Sequence, residues 1–195
     1  MIARSSHAHA ILTVGHGTLA AEAFSTLLRD QGVRLLVDVR SFPGSRRNPQ
    51  FRREEMERWI PELTGARYLW VPRLGGFRKS HPHSPNVGLR HVAFRGYADY
   101  METDEFRADL ANVLRAAAQT RIVLMCSEAV WWRCHRRLVA DAIVLLYGVP
   151  VYHLMHDGTL ASHRPTDCAR VEGNMLRYDG GTLFTTASSA RARSS

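Results

Sequence analysis

The sequence predicts an α/β fold, with a mostly parallel sheet of about five strands and helices on both faces. Short apolar runs rich in β-branched residues alternate along the chain with segments of helical period. The runs stay apolar until their last positions, which is typical of strands covered on both faces. With 195 residues, 45% of them hydrophobic, the chain is long enough to build one sizeable core.

Each strand is predicted from an apolar run, and each helix from a spacing of three and four residues. The strands are expected at 9–14, 33–39, 67–72, 122–125 and 149–155, and the helices at 19–30, 51–63, 104–118 and from 135 to about 147. Gly32 and Gly65 are placed to end the first two helices, and Thr103 is placed to cap the third.

The remaining segments carry weaker signals. Residues 77–95 are predicted to form a long irregular loop of the kind that covers a ligand, followed by a turn at Arg95 and Gly96. We expect one domain over 9–160, a short C-terminal extension over 161–195 that is partly disordered, and a disordered leader over 1–8.

Charge and cysteine content narrow the functional classes. The formal net charge is +8, with 25 arginines and only Lys79 as lysine, and arginine binds phosphate through paired donors. A nucleotide, a nucleic acid or another phosphate-bearing molecule is therefore a candidate partner, although GC-rich codons also favour arginine. No 18-residue apolar run or secretory signal is present, and the three cysteines have no disulfide spacing, so we expect a cytoplasmic protein that does not span a membrane.

The stretch 121–140 predicts the site. Its strand passes directly into a polar loop and then a helix, which is how open α/β sheets place chemistry at their carboxyl edge. The candidate catalytic residues are Cys126, Glu128 and His135. The candidate substrate-binding residues follow the other strands or the same loop: His16, Asp38, Arg40, Arg46, Arg47, Cys134 and Arg136.

Two interpretations of these residues stay open. Cys126 lies before a helix and near several arginines, which favours a reactive thiolate, but a buried inert thiol fits the same position. His135 could be a general acid or base, or a structural histidine. Arg136 is expected to bind an anion or to tie the loop through Glu128. The spacing of six residues between Cys126 and Arg133 disfavours a phosphatase-type loop.

The same reasoning leaves open two interpretations of the binding residues. Asp38 and Arg40 flank Val39, so both should point to one face of the sheet, either as a structural ion pair or as ligand-binding groups. Arg46 and Arg47 could be solvated or could clamp a phosphate.

A metal site is an alternative hypothesis. Cys126, Cys134 and His135 are suitable ligands for zinc or iron, and His16 would lie nearby if the first and fourth strands are neighbours. Adjacent residues on a helix project about 100° apart, however, so Cys134 and His135 are poorly placed to share one ion. We therefore assign no residue to a metal site but keep a zinc- or iron-binding protein as an alternative function, and the sequence identifies no cofactor.

Several motifs together resemble the domain of unknown function 488 family. They span residues 11 to 155 and comprise Val14-Gly15-His16, Val37-Asp38-Val39-Arg40, Arg46-Arg47-Asn48-Pro49-Gln50-Phe51, Leu74-Gly75-Gly76, Phe94-Arg95-Gly96-Tyr97 and Cys126-x-Glu128 with Cys134-His135-Arg136. The resemblance implies a Rossmann-like three-layer fold and supports this site more than any one reaction. Trp131 departs from it, because the family is expected to have proline there.

Two functional hypotheses follow. The chain is an enzyme that acts on a phosphate-bearing substrate through Cys126, Glu128 and His135, or it is a non-catalytic module that binds such a ligand or nucleic acid. The sequence does not decide between them, and it leaves the oligomeric state open.

Overall fold

A six-stranded sheet forms the centre of the fold. The computed structural model describes residues 10–180, so the predicted leader and the end of the C-terminal extension lie outside the described residues. The strands of the sheet are β1 Ile11–Gly15, β2 Leu35–Asp38, β3 Arg67–Trp70, β4 Ile122–Cys126, β5 Val151–Leu154 and β6 Leu160–Ser162. Their order is β3-β2-β4-β1-β5-β6, and only β6 runs antiparallel to its neighbour.

Five α-helices of the described chain cover the two faces of this sheet. They are α1 Ala21–Asp30, α2 Arg53–Thr64, α3 Val92–Met101, α4 Asp104–Gln119 and α5 Arg136–Tyr147. A separate hairpin of β7 Ala169–Glu172 and β8 Met175–Tyr178 follows. The predicted α/β class with a mostly parallel sheet is confirmed.

Two apolar cores lie on opposite faces of the sheet because its strands are apolar on both sides. One core packs Phe24 of α1 and Ile60 of α2 against the sheet. The other packs Tyr97 of α3, Phe106 of α4 and Leu138 of α5 against it. The fold therefore has three layers, with helices on both faces of the sheet. Only the loops at the ends of the strands are left free to form a cleft.

Strand order decides which loops meet at the carboxyl edge. Since β4 lies between β2 and β1 and runs parallel to both, Gly15, Asp38 and Cys126 end at the same rim. The rim is held by backbone bonds from His16 N to the carbonyl of Cys126 and from Val39 N to the carbonyl of Met125, both 2.9 Å. The first and fourth strands are therefore neighbours, as the hypothesis of a shared site requires.

The predicted helix boundaries agree with the structure at several points. Gly65 ends α2 in a left-handed conformation with φ of 66°, and Thr103 caps α4 by accepting a hydrogen bond from Phe106 N at 3.3 Å. Both signals are local, so the sequence is sufficient to find them.

The predicted turn at Arg95 and Gly96 is wrong, because both residues lie inside α3. His91 caps this helix by accepting a hydrogen bond from Ala93 N at 3.2 Å. Gly96 is needed for packing: a Cβ there would lie 2.6 Å from the backbone of Arg78 and Ser80. A glycine that lets two backbone segments pack closely cannot be distinguished in the sequence from a glycine that forms a turn.

The region beyond residue 160 continues the fold up to Gly180. The strand β6 extends the sheet from residue 160, where the sequence placed the end of the domain. Ala169, Leu176 and Tyr178 of the hairpin are buried in the same core as α3 and α5. No helix between residues 10 and 180 combines the length and the apolar character needed to cross a membrane.

Candidate functional site

A cleft of about 450 Å³ lies at the carboxyl edge of β1, β2 and β4. Six of the ten residues predicted for the site line it: His16, Arg40, Cys126, Glu128, Cys134 and His135. Of the other four, Asp38 and Arg136 lie directly behind the wall, whereas Arg46 and Arg47 do not line it.

Two thiols meet in the wall of this cleft. The sulfur of Cys126, at the end of β4, lies 2.8 Å from the sulfur of Cys134, which follows the short 3-10 turn Trp131–Arg133. Both cysteines are buried and unpaired. The guanidinium of Arg136 donates a hydrogen bond from Nη1 to the Cys126 sulfur at 2.5 Å. Cys126 is thus in contact with a thiol donor and with a fixed positive charge.

These contacts decide the acidity of the two thiols. Burial alone would raise the pKa of Cys126, but the hydrogen bond from Cys134 and the charge of Arg136 outweigh it and lower the pKa to about 7. Burial and the neighbouring Cys126 raise the pKa of Cys134 well above its ordinary value. Cys126 is therefore the thiolate near neutral pH, and Cys134 holds the proton.

Arg136 also holds the loop that follows β4. Its guanidinium donates hydrogen bonds to the backbone carbonyls of Glu128 and, at 2.9 Å, of Ala129. The group crosses directly over Gly15, where a Cβ would lie 2.7 Å from Nη1 and closer still to the Glu128 carbonyl. Arg136 thus contacts the loop at Glu128, but through the backbone rather than the carboxylate.

His135 lies beside the two thiols. Its Nδ1 is 3.5 Å from the sulfur of Cys134, and its ring centroid is 5.1 Å from that of Tyr97. This distance permits a hydrogen bond between the ring nitrogen and the Cys134 sulfur. Within the described chain, the buried Nε2 has no hydrogen-bond partner.

Burial lowers the pKa of His135 to about 4, although the nearby carbonyls of Val39 and Leu74 act in the opposite direction. The ring is therefore neutral at pH 7. A neutral imidazole carries one ring proton and one lone pair, so the ring can take up or release a proton.

The second wall of the cleft is a buried ion pair. Arg40 donates from Nε to Oδ1 of Asp38 at 2.9 Å and from Nη2 to Oδ2 at 2.6 Å. The hydroxyl of Tyr68 donates to the same Oδ2 at 2.6 Å, and the carboxylate accepts the backbone N–H of Arg40 as well. Asp38 is wholly buried, so its role here is to fix Arg40.

Arg40 in turn fixes the state of His16. Its Nη1 lies 3.1 Å from His16 Nε2, which must accept the bond because a guanidinium can only donate. His16 Nδ1 then donates to the carbonyl of Gly17 at 2.9 Å, and the ring stacks on Phe51 with centroids 4.1 Å apart. Burial and the positive charge of Arg40 lower the pKa of His16 to about 4, so this ring is also neutral at pH 7.

Three predicted residues have exposed side chains. Arg46 and Arg47 lie on the loop after β2, between Ser45 and Asn48, which do line the cleft. Glu128 lines the cleft at its outer part and accepts a hydrogen bond from Val130 N at 3.0 Å through its carboxylate. The structure brings none of these three carboxylate or guanidinium groups into contact with the Cys126 sulfur.

Sequence reasoning missed two phenylalanines of the cleft. Phe42 is 76% exposed and Phe77 is 79% exposed, although both are large and apolar. Their ring centroids are 6.1 Å apart, and both residues line the cleft. Each phenylalanine lies in a polar loop, at 41–51 and 76–78, where it has no core to pack into. A large apolar residue at such a position could have indicated a binding surface.

The described residues contain no group of three or more His, Cys, Asp and Glu side chains that could hold a metal ion. The Cys126, Cys134 and His135 side chains are close together, but His16 has both ring nitrogens in hydrogen bonds with Arg40 and Gly17.

The family model described as Domain of unknown function DUF488 matches residues 20–143. This range includes both strands that end in Asp38 and Cys126, and all of the loop that carries Cys134 and His135. Neither the curated proteins nor the solved structures contain a significant match.

Proposed function

Since the chain belongs to the DUF488 family, whose name assigns no activity, we propose its function from the cleft. The protein is an enzyme that acts on a nucleotide, a nucleic acid or another phosphate-bearing substrate, with Cys126, Glu128 and His135 at the reaction site. The observation that carries this proposal is the contact of Arg136 Nη1 with the Cys126 sulfur at 2.5 Å, beside a second thiol that donates to it.

Nucleophilic catalysis needs a thiolate at working pH and a way to reach the substrate. The pKa of Cys126, lowered to about 7, makes the thiolate available at neutral pH. Cys126 lines the cleft together with charged and aromatic side chains, among them Arg40, Glu128 and Phe77.

His135 supplies the proton-transfer group of the proposed reaction. Its ring is neutral at pH 7 and lies beside Cys134, with Nδ1 3.5 Å from the sulfur. A neutral imidazole in the wall of a cleft can exchange a proton with water or substrate. Glu128 lies at the outer part of the same cleft, where it can contact the substrate rather than the thiol.

The anion and the ring of a nucleotide each have a candidate binding group. Arg133 lines the cleft with an exposed side chain, and Arg46 and Arg47 lie on its bordering loop. Phe42 and Phe77 present exposed rings at the cleft, and stacking on such rings stabilises a bound base by about 1–3 kcal/mol. The three unpaired thiols suit a reducing compartment, and we propose the cytoplasm.

The test is to compare binding and turnover in Cys126→Ala. Nucleoside mono- and triphosphates and short oligonucleotides would be incubated with the protein, and products separated by chromatography. We expect Cys126→Ala to bind the same compound as the wild type with turnover reduced by at least about a thousandfold. Cys168→Ala is the matched control, because Cys168 does not line the cleft and should be dispensable.

Turnover by Cys126→Ala at the wild-type rate would refute the proposal. Binding of these compounds by the wild type with no product, and with no covalent adduct on Cys126 by mass spectrometry, would instead support the alternative of a non-catalytic binding module. In that case Phe42→Ala and Phe77→Ala should still weaken binding, each by roughly tenfold.

A further inference from the structure

We infer that Cys126 and Cys134 form a redox couple that reduces hydroperoxides, an activity that needs no phosphate-bearing substrate. In this second activity Cys126 reacts with the peroxide and Cys134 closes a disulfide with it. The inference goes beyond the proposed function because it depends only on the two sulfurs and on Arg136.

The distance between the sulfurs is the first argument. They lie 2.8 Å apart as free thiols, and a disulfide requires about 2.05 Å, so a small rotation of the side chains brings them together. The two residues are joined by a loop of seven residues that includes exposed positions at Ser127 and Trp132. The third cysteine, Cys168, does not line the cleft, so we expect it to stay a free thiol.

The unequal acidity of the pair is the second argument. A peroxide-reducing pair needs one thiolate that attacks and one thiol that stays protonated until it resolves the product. Arg136 and Cys134 stabilise the negative charge on Cys126, whereas burial and the Cys126 charge keep the proton on Cys134. The roles are thus assigned by the structure, with Cys126 as the attacking and Cys134 as the resolving residue.

The reaction balances without any further cofactor. The Cys126 thiolate attacks the terminal oxygen of the hydroperoxide, the O–O bond breaks, and the leaving alkoxide or hydroxide takes up one proton. Cys126 is now a sulfenic acid. The sulfur of Cys134 attacks the Cys126 sulfur, the S–O bond breaks, and water leaves with the proton of Cys134. An external dithiol then reduces the disulfide and restores both thiols.

The surroundings of the pair allow this cycle. Both sulfurs line a cleft wide enough for a small peroxide. Arg136 holds the loop through the carbonyls of Glu128 and Ala129, and since neither bond involves a sulfur, we expect the loop to stay in place when the disulfide closes. While the disulfide is closed, Cys126 is not available as a nucleophile, so oxidation also switches off the proposed enzyme.

The experiment is to treat the purified full chain with one equivalent of hydrogen peroxide and to map its cysteines by mass spectrometry of non-reduced peptides. We expect a loss of two hydrogens from the intact mass, a disulfide between Cys126 and Cys134, and a free thiol at Cys168. A dithiol such as dithiothreitol should reverse the change.

Matched variants separate the two roles. Cys134→Ser should stop at the sulfenic acid of Cys126, which dimedone traps, and Cys168→Ser should behave as the wild type. Three unreacted thiols, a disulfide to Cys168, or sulfinic acid at Cys126 of the wild type without a disulfide would each overturn the inference. None of these outcomes bears on nucleotide turnover, which is measured on the reduced protein.

Discussion

Two buried polar clusters of the molecule differ in how completely their hydrogen bonds are satisfied. One is the cysteine cluster, formed by Cys126, Cys134, His135 and Arg136 at the carboxyl edge of the sheet. The other is the histidine chain, formed by Thr13, His153, His163 and Asp141 between β1, β5 and α5. Both contain side chains that are costly to bury, and the comparison shows which of them serves stability and which serves chemistry.

The histidine chain is closed. Asp141 accepts from His163 Nε2 at 2.9 Å, His163 Nδ1 lies 2.9 Å from His153 Nε2, and His153 Nδ1 accepts from Thr13 at 2.6 Å. Asp141 also accepts from Thr166 and from the hydroxyl of Tyr178. Every one of these polar groups has a partner inside the protein.

The cysteine cluster is open. His135 Nε2 and Arg136 Nε are buried and lack a hydrogen-bond partner among residues 10–180, and the thiolate of Cys126 faces the cleft. Buried polar atoms without partners are rare in folded proteins, and they are expected where a ligand supplies the missing bond. The contrast indicates that the histidine chain stabilises the fold, whereas the cysteine cluster gives up stability for reactivity.

The largest effect is expected from the closed cluster. Asp141→Ala would leave His163, Thr166 and Tyr178 without their shared acceptor, and we expect a loss of about 3–5 kcal/mol in the free energy of unfolding. Urea denaturation measures it. The alkylation rate of Cys126 in the folded variant should not change, and a change there would show that the two clusters are coupled.

A smaller loss of stability with a large change in reactivity is expected for Arg136→Ala. Removing the guanidinium leaves two carbonyls without donors, which costs about 2–4 kcal/mol, and returns the pKa of Cys126 from about 7 towards its ordinary value. Iodoacetamide labelling of Cys126 at pH 7 should slow by roughly tenfold or more.

Arg137→Ala is the control for this prediction, because it removes the same charge one residue further on, where Arg137 bonds to Thr166 instead of to the thiol. Equal labelling of Cys126 in the two variants would mean that general positive charge, and not the contact with Arg136, activates the thiol.

A histidine of each cluster, His135 and His153, and His16 beside the cleft should make the protein sensitive to acid. The pKa values of His16 and His135 are lowered to about 4 and that of His153 to about 3, while the unfolded chain keeps about 6.5. Above pH 6.5 neither state binds these protons. Below it the unfolded state binds more, so stability falls as the pH drops from 6.5 towards 4, by up to about 1.4 kcal/mol per pH unit for each histidine.

Urea unfolding at pH 7, 6 and 5 tests this slope. His153→Gln should remove about one third of it, since three histidines with lowered pKa values contribute. A slope that His153→Gln leaves unchanged would place the acid sensitivity in other groups.

The smallest effect is expected at the tryptophan that lies between the clusters. Trp131 stacks on His153 with ring centroids 4.0 Å apart, whereas Trp132 is 50% exposed. We expect Trp131→Ala to lower the free energy of unfolding by about 1–2 kcal/mol and Trp132→Ala by less than about 0.5 kcal/mol. Equal effects of the two substitutions in urea would show that the stack adds nothing to stability.

Much of the fold was predictable because its signals are local. Alternating apolar runs and helical spacings placed five strands and four helices, and the rule that parallel strands end at one rim brought His16, Arg40 and Cys126 to a common cleft. The helix α3 was missed because Gly96 is a packing residue, and the hairpin over 169–178 was missed because short strands of mixed polarity carry no clear period.

The contacts inside the site could not be predicted in the same way. Nothing in the spacing of Cys126 and Cys134 gives a distance of 2.8 Å, since this depends on how the 3-10 turn at Trp131 folds the loop back on itself. Similarly, the use of Arg136 for backbone carbonyls depends on the space over Gly15. Which side chains contact one another depends on tertiary packing. A sequence pattern predicts only which face of a helix or strand a residue lies on and where in the chain the element ends.

The position of β4 in the sheet also constrains how the chain can fold during synthesis. β1 pairs with β4 and β5, and β2 pairs with β3 and β4, so β1 and β2 share no ladder of their own. During synthesis, the wholly buried strand β1 has no strand to pair with until the chain has been made as far as the end of β4, at residue 126. Until then its apolar edge is exposed, and the two halves of the cleft meet only when the late strand inserts between them.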